Sequence, residues 1–434
     1  MKIRNLISTF FLTFSLIVVA QEKSKQWDLV GSINYALANN IQIQQARLSL
    51  EQNQVSTKLA KAALFPTLTG GINQSYANNP FTPSNVYSGS YSLNSSVTLF
   101  DAGKTTKNIE QQKLNEQVAK YSVLESEKNI QMSILQTYLQ ILYADEAVKI
   151  NKSTVDVSEF QMKRGQELLK AGSISKADQA QLESQYSADK YQLTVSENSL
   201  STYKLQLKQL LELPLNEELD IAIPDINTLD VLKPLPALSL VYEKALEVMP
   251  QVKSSELSVK IANIETSKAK AGYYPKLSLN AAVSTGHNTG SDFSFGDQFK
   301  NNWNNGVGLT VSVPIFSNRQ NKSAVEKAQL TEKSSQLEFA STQKNLLKEI
   351  ESVYQSAISA QSQYYAAIES QKALKSSYEL IQQQFNLGMK NTLELLSEKS
   401  KYLTAQQNVI QAKYLTIMNA QLLNLYQDKT LEIK

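Results

Sequence analysis

The sequence predicts a mainly helical chain with a smaller β-strand portion, built as two tandem repeats of helix, strand, strand, long helix and helix. Three observations carry this. Very long tracts lack any helix breaker: no proline occurs from Asn85 to Leu213 or after Pro314, and Gly165 and Gly172 are the only glycines between Gly103 and Leu213. Such tracts, rich in Gln, Glu, Lys, Leu, Ala and Ser, are helix-forming. Between them lie stretches with a period of two, and a strand-to-helix junction occurs twice, as "SVTLFDAGKTTKNIEQQK" (96–113) and "SVPIFSNRQNKSAVEKAQ" (312–329).

At the N-terminus, Lys2 and Arg4 precede the apolar run "LISTFFLTFSLIVVA", and Val18 and Ala20 are small, so residues 1–20 read as a cleaved signal peptide. Losing those two cations lowers the net charge from +3 to about +1, which gives no reason to expect a nucleic-acid partner. Gln21 comes directly after the cut, so no acylated cysteine anchors the mature chain; with no cysteine anywhere, packing or oligomerisation must hold it together. Residues 21–238 form the first repeat with its connector and 239–434 the second. Helices are expected over roughly 29–64, 101–171, 173–211, 240–274, 321–387 and 391–426, with Gly172 and Gly388 at C′ positions of hairpin turns. Each long helix spans about 100 Å. Its two shorter partners, laid end to end, match it, which implies coiled-coil-like packing.

Strands are expected at about 67–79, 87–100, 276–287 and 303–316, paired across the loops "ANNPFTPSN" and "GHNTGSDFSFGDQFKNN". In the last of them Val307, Leu309, Val311, Val313 and Ile315 alternate with Gly308, Thr310 and Ser312. The duplication is explicit. "ALFPTLTG" matches "GYYPKLSL" at an offset of 209, whereas Phe100 and Phe316, Gly172 and Gly388, and Asp178 and Glu394 match at 216; the second strand pair therefore has the longer loop. Four strands cannot close a pore, and an open edge in lipid leaves backbone groups unpaired, so strands in a membrane require several chains to pool them.

Signal peptide, tandem halves, the Pro66 and Pro275 entries ("FPTL", "YPKL"), the "SVTLFDAGK" and "SVPIFSNRQ" exits and the two glycine turns together resemble the TolC-like outer-membrane efflux family along essentially the whole mature chain. The resemblance implies a homotrimer whose twelve pooled strands form one barrel, continued by a helical tunnel through the periplasm. It implies a passive exit duct for efflux or type I secretion, working with a periplasmic adaptor (membrane fusion) protein and an inner-membrane pump. In that frame Pro314 marks a bend where the strand leaves the barrel, and Phe100 and Phe316 lie at the bilayer interface; the rival reading makes them plugs of a soluble junction. Tyr76, Tyr87, Tyr91, Phe293, Phe295 and Trp303 form an aromatic girdle where they face lipid, or else pack loops.

The resemblance also places the tunnel's constriction at the glycine turns. In the family an acid follows the second turn's glycine at +6 and another at +9; here these are Glu394 and Ser397, one carboxylate ring instead of two. An aromatic at −3 and an arginine at +2 engage the first turn's acid in the family; this sequence offers Phe385, Lys390 and Asp178. Phe385 has no hydroxyl and Lys390 no guanidinium fork, which predicts a weaker clasp. A plainer role stands beside gating: Ser175-x-x-Asp178 and Asn391-x-x-Glu394 are capping-box patterns, and Lys390 with Glu394 is an i,i+4 pair. Three Glu394 carboxylates in one ring would raise one another's pKa.

No other motif carries chemistry. "AGKTTK" (102–107) lacks the glycine a phosphate loop needs at position 98, which is Thr98. His287, the only histidine, reads as a solvated loop residue, and without cysteine no usual metal cluster can form. No cofactor, metal or catalytic residue is expected. Two rival readings remain: a non-transporting coiled-coil stalk of the periplasm or cell surface, and an envelope hydrolase, which the missing His, Cys and Gly-rich constellations disfavour.

Overall fold

The computed structural model describes residues 26–78, 86–224, 226 and 231–432; the signal-peptide reading lies outside them. The elements of the first half are β1 (Gln26–Trp27), α1 (Leu29–Asn39), α2 (Ile41–Ala62), β2 (Thr67–Ala77), β3 (Val86–Phe100), α3 (Lys104–Lys170), α4 (Lys176–Leu210) and β4 (Asp220–Ile221). Those of the second are α5 (Leu238–Val248), α6 (Pro250–Ala271), β5 (Lys276–Asn288), α7 (Phe295–Asn301), β6 (Asn304–Ser312), α8 (Gln320–Asn386) and α9 (Thr392–Tyr426).

The duplication extends to lengths. α3 and α8 have 67 residues each, α4 and α9 have 35, α2 and α6 have 22, and α1 and α5 have 11. The first helix of each half is thus two helices, not one. The breaks fall at equivalent residues, Asn40 (φ −64°, ψ 131°) and Met249 (φ −70°, ψ 123°). Met249 precedes Pro250, which disfavours helical ψ in the residue before it. Asn40 caps α2 instead, its Oδ1 accepting from the Gln42 and Ile43 amides at 2.9 and 3.4 Å.

Among the described residues no helix is long and apolar enough to cross a membrane. The strands form one antiparallel sheet in the order β2-β3-β5-β6, leaving β2 and β6 as edges. Its register sorts the faces cleanly. One carries Leu68, Ile72, Tyr91, Leu93, Val97, Leu279, Val283, Val307, Leu309 and Val311; the other carries Ser, Thr, Asn, Gly and Ala almost throughout. A bulge near Leu99 sets Phe100 opposite Leu277, so Phe100 joins the apolar face. β6 stops at Ser312, four residues before the expected end at 316, because Pro314 lacks the N–H a ladder needs. β2 ends at Ala77, short of 79. His287 lies within β5, not in a solvated loop, its ring 6.0 Å from Tyr91 and 4.7 Å from Phe295.

Both strands leave for their long helices through two consecutive left-handed residues, Ala102–Gly103 (φ 56° and 78°) and Asn318–Arg319 (φ 44° and 65°). The largest core sits at mid-length of α3, where Ile134, Leu135, Tyr138, Ile141 and Leu142 meet Trp27, Leu207, Leu211 and Ile221. The Tyr138 hydroxyl donates to the Ala222 carbonyl at 2.5 Å, fixing the parallel β1–β4 pair against α3. A second core joins α5 and α6 to α8 through Val241, Ala245, Val252, Leu346 and Ile350.

Candidate functional site: the tip of the helical hairpins

α3 and α4 form one hairpin, α8 and α9 the other. Gly172 and Gly388, each at φ +75°, end the long helices in left-handed C′ conformation. The next amides reach back, Ser173 N to Leu168 O at 2.8 Å and Met389 N to Gln384 O at 2.9 Å, closing Schellman turns.

The second helix of each hairpin opens with a reciprocal capping box. Ser175 Oγ accepts from the Asp178 amide (3.1 Å), while Asp178 Oδ2 accepts from the Ser175 amide (3.1 Å) and hydroxyl (2.6 Å). Asn391 Oδ1 accepts from the Glu394 amide (2.9 Å), and Glu394 Oε2 accepts from the Asn391 amide (3.2 Å). Lys390 donates to Glu394 Oε1 at 2.6 Å, so within the protomer its ammonium serves its own helix and not Asp178. The Ser175 hydroxyl and amide hold the Asp178 carboxyl below its usual range, and the buried Thr392 adds to this from the other hairpin. Lys390 first, then the Asn391 amide, does the same for Glu394. Any mutual repulsion among copies of Glu394 works against these contacts.

Phe385 is buried with Leu395 and Tyr378 against Leu168 of α3, joining the two hairpins by apolar packing without a hydroxyl. Above this plug comes a layer that the sequence reading missed. The Lys399 ammonium of α9 meets Asp189 of α4 at 2.7 Å, with side chains only 3% and 8% exposed. Gln185 donates to the other carboxylate oxygen at 2.8 Å. Tyr378 stacks on Tyr402 (5.7 Å, 15°), and its hydroxyl accepts from Gln161 Nε2 of α3 at 3.1 Å. Burial pushes the Lys399 pKa down even beside its partner carboxylate. A readable signal existed: Gln179, Leu182, Tyr186, Asp189, Leu193 and Ser196 step in threes and fours along α4, as do Thr392, Leu395, Lys399, Tyr402 and Gln406 along α9. Opposite charges thus stand on facing seams. Gly165 of α3 lets α4 approach, since a Cβ there would come within 2.5 Å of Leu182 Cδ1 and Gln179 Oε1.

At the other end of the long helices, Pro66 and Pro275 stand immediately before β2 and β5. Phe100 (51% exposed) and Phe316 (86%) project at this junction, and Phe65, Tyr273 and Tyr274 join them. Tyr76, Tyr87, Phe293, Phe295 and Trp303 are exposed at the opposite end of the sheet, whereas Tyr91 is half-buried beside His287. Among the described residues no group of His, Asp and Glu could hold a metal ion.

Known proteins are similar to this chain in sequence and in fold. The chain is 22% identical over 371 residues to the outer membrane protein TolC of Escherichia coli K12, covering 83% of this chain and 74% of that one. It is 21% identical to the alkaline protease secretion protein AprF of Pseudomonas aeruginosa, over 95% of this chain and 86% of that one. In structure it is similar to CusC, with a TM-score of 0.82 at 19% identity over 93% and 92% of the two chains. It is also similar to the CmeC outer membrane channel of Campylobacter jejuni, with a TM-score of 0.78 at 18% identity over 94% and 87%. Residues 32–212 and 241–426 match the family described as outer membrane efflux protein, once in each half. The chain belongs to the outer membrane efflux protein family.

Proposed function

We propose that three copies of this chain form the outer-membrane exit duct of a tripartite efflux or secretion system. The protein lies in the outer membrane with its helices in the periplasm. It works as a transport channel: energy comes from an inner-membrane pump, reached through a periplasmic adaptor. Residues 1–20 are removed on export, and 21–238 and 239–434 act as the two repeats.

The observation that carries the reading is the sheet. It has one apolar face, one polar face and two open edges, and its strands run alternately up and down, so β6 of one copy meets β2 of the next antiparallel. A ring of three closes twelve strands with no edge left, lipid outside and water inside. The helices support this, because Leu59, Tyr191, Leu330 and Leu337 stand 65–74% exposed on a single chain and need neighbours. Leu387, Met389 and Leu393, each at least 68% exposed, offer the adaptor an apolar contact at the second tip. Asp178, Phe385, Lys390 and Glu394 hold the hairpin tips closed, Asp178 and Glu394 capping their helices as they do so. Purified protein reconstituted in a planar bilayer tests the reading. A small, steady, cation-preferring conductance is expected; protein that needs no detergent and never inserts would instead be a stalk.

A further inference from the structure

The extra length of the second strand pair folds as α7, which lies flat on the apolar face of the sheet at the end away from the tunnel helices. Its attachment is specific. Thr285 Oγ1 donates to the Phe299 carbonyl at 2.7 Å, and Asn302 Nδ2 to the Gly286 carbonyl at 2.7 Å. The buried Gln298 brackets Asn288, accepting from its amide at 2.8 Å and donating to its carbonyl at 3.0 Å. Phe295 sits edge-on to His287 at 4.7 Å, and Phe299 lies 5.8 Å from Tyr91. A seven-residue helix is thus pinned to β5 and to Tyr91 of β3.

What it presents outward is apolar. Phe293, Phe295 and Trp303 are 56–64% exposed around it. One row towards the helices, on the same face, is a shallow depression of about 500 Å³ lined by Leu68, Leu93, Ala281, Val283 and Val307, without a charged side chain. It is continuous with the sheet surface that lipid covers.

We propose that α7 and this depression form a lipid-docking site of the outer leaflet, rather than a water-exposed loop. One acyl chain lies in the depression, and the α7 aromatics sit at the boundary of headgroup and chain, where amphipathic rings are favoured. The occupant is a lipid and not a protein segment, because the lining is uncharged, mostly aliphatic with only Ser95 and Asn305 polar, and continuous with the apolar sheet face. The inference rests on the reading of the protein as an outer-membrane duct.

The chain's only tryptophans are Trp27, buried in the core, and Trp303. A reporter on α7 is therefore the variant Phe295→Trp in a Trp27→Phe, Trp303→Phe background, inserted into phosphatidylcholine vesicles and isolated by flotation. Lipids brominated near the headgroup are expected to quench its emission more than lipids brominated at the chain end, with aqueous acrylamide having little effect. The variant Trp27→Phe, which leaves α7 untouched, should give the same depth from Trp303. Floated protein whose reporters respond to acrylamide and to neither brominated lipid would overturn the inference alone. Protein that never enters the vesicles would sink the duct reading, and this site with it.

Discussion

Replacing Lys399 by methionine removes one ammonium and keeps most of the side-chain volume. Asp189 then stays 8% exposed with Gln185 as its remaining hydrogen-bond donor. Removing one partner of a buried pair costs about 3–5 kcal/mol, because the other charge is left uncompensated. The pair joins α4 to α9, so the cost falls on the docking of one hairpin against the other. Hydrogen exchange of the α9 amides between Leu395 and Gln406 reads it in the intact protein. At 1.4 kcal/mol per factor of ten, these amides should exchange between about 100-fold and a few thousand-fold faster, while α2 stays unchanged. Adding Asp189→Leu should restore exchange to within about tenfold of the parent, since a well-packed apolar replacement of a buried pair is close to neutral. Unchanged exchange in Lys399→Met, or a double variant as fast as the single one, would refute the argument that this pair positions the hairpin.

Three further outcomes are expected. Lys390→Ala should raise single-channel conductance, because Glu394 loses the cation that neutralises it; unchanged conductance in an intact channel would leave the residue a capping role only. Asp178 and Glu394 both have lowered pKa values, so their stabilisation is present above the ordinary carboxylate range and is lost as pH falls through the lowered values; protection of the Ser175–Gln179 and Asn391–Leu395 amides, relative to intrinsic exchange at each pH, should therefore fall below about pH 4, and protection that stays constant through that range would contradict this. Gly388→Ala should destabilise the second tip by about 1–2 kcal/mol, the cost of a side chain at positive φ, measured as exchange at Met389 and Leu395.

The architecture was legible where composition is monotonous. Breaker-free tracts give the long helices, and the single glycines Gly172 and Gly388 fall where the backbone turns left-handed. The faces of β6 were legible from strict alternation. One missed break had a local signal, Pro250 inside the expected 240–274 helix; the other missed features depend on side-chain contacts that no periodicity announces. "ALANNIQIQ" contains no breaker, and the helix divides there because the Asn40 side chain caps α2. α7 is too short to show a period and exists through Gln298, Thr285 and the rings of β3 and β5. Asn318 and Arg319 take up positive φ without a glycine, since the junction's geometry is dictated by the sheet it leaves. At the tip the capping pattern was legible in full, and the pairing of Lys399 with Asp189 was not, because the seams had to be aligned across some 210 residues of chain.

The polar face of the sheet has an electrical consequence. Apart from His287, on the opposite face, Lys276 is the only ionisable residue among the described residues of the four strands other than tyrosine, and the hydroxyls and amides around it carry no net charge. In the proposed trimeric duct, a bore with such a wall would resist ion flow little more than free electrolyte. In that duct nearly the whole of an applied voltage would drop at the proposed constriction, across Glu394, Lys390 and Asp178, so the strands would act as a plain lead to a resistor some 100 Å away.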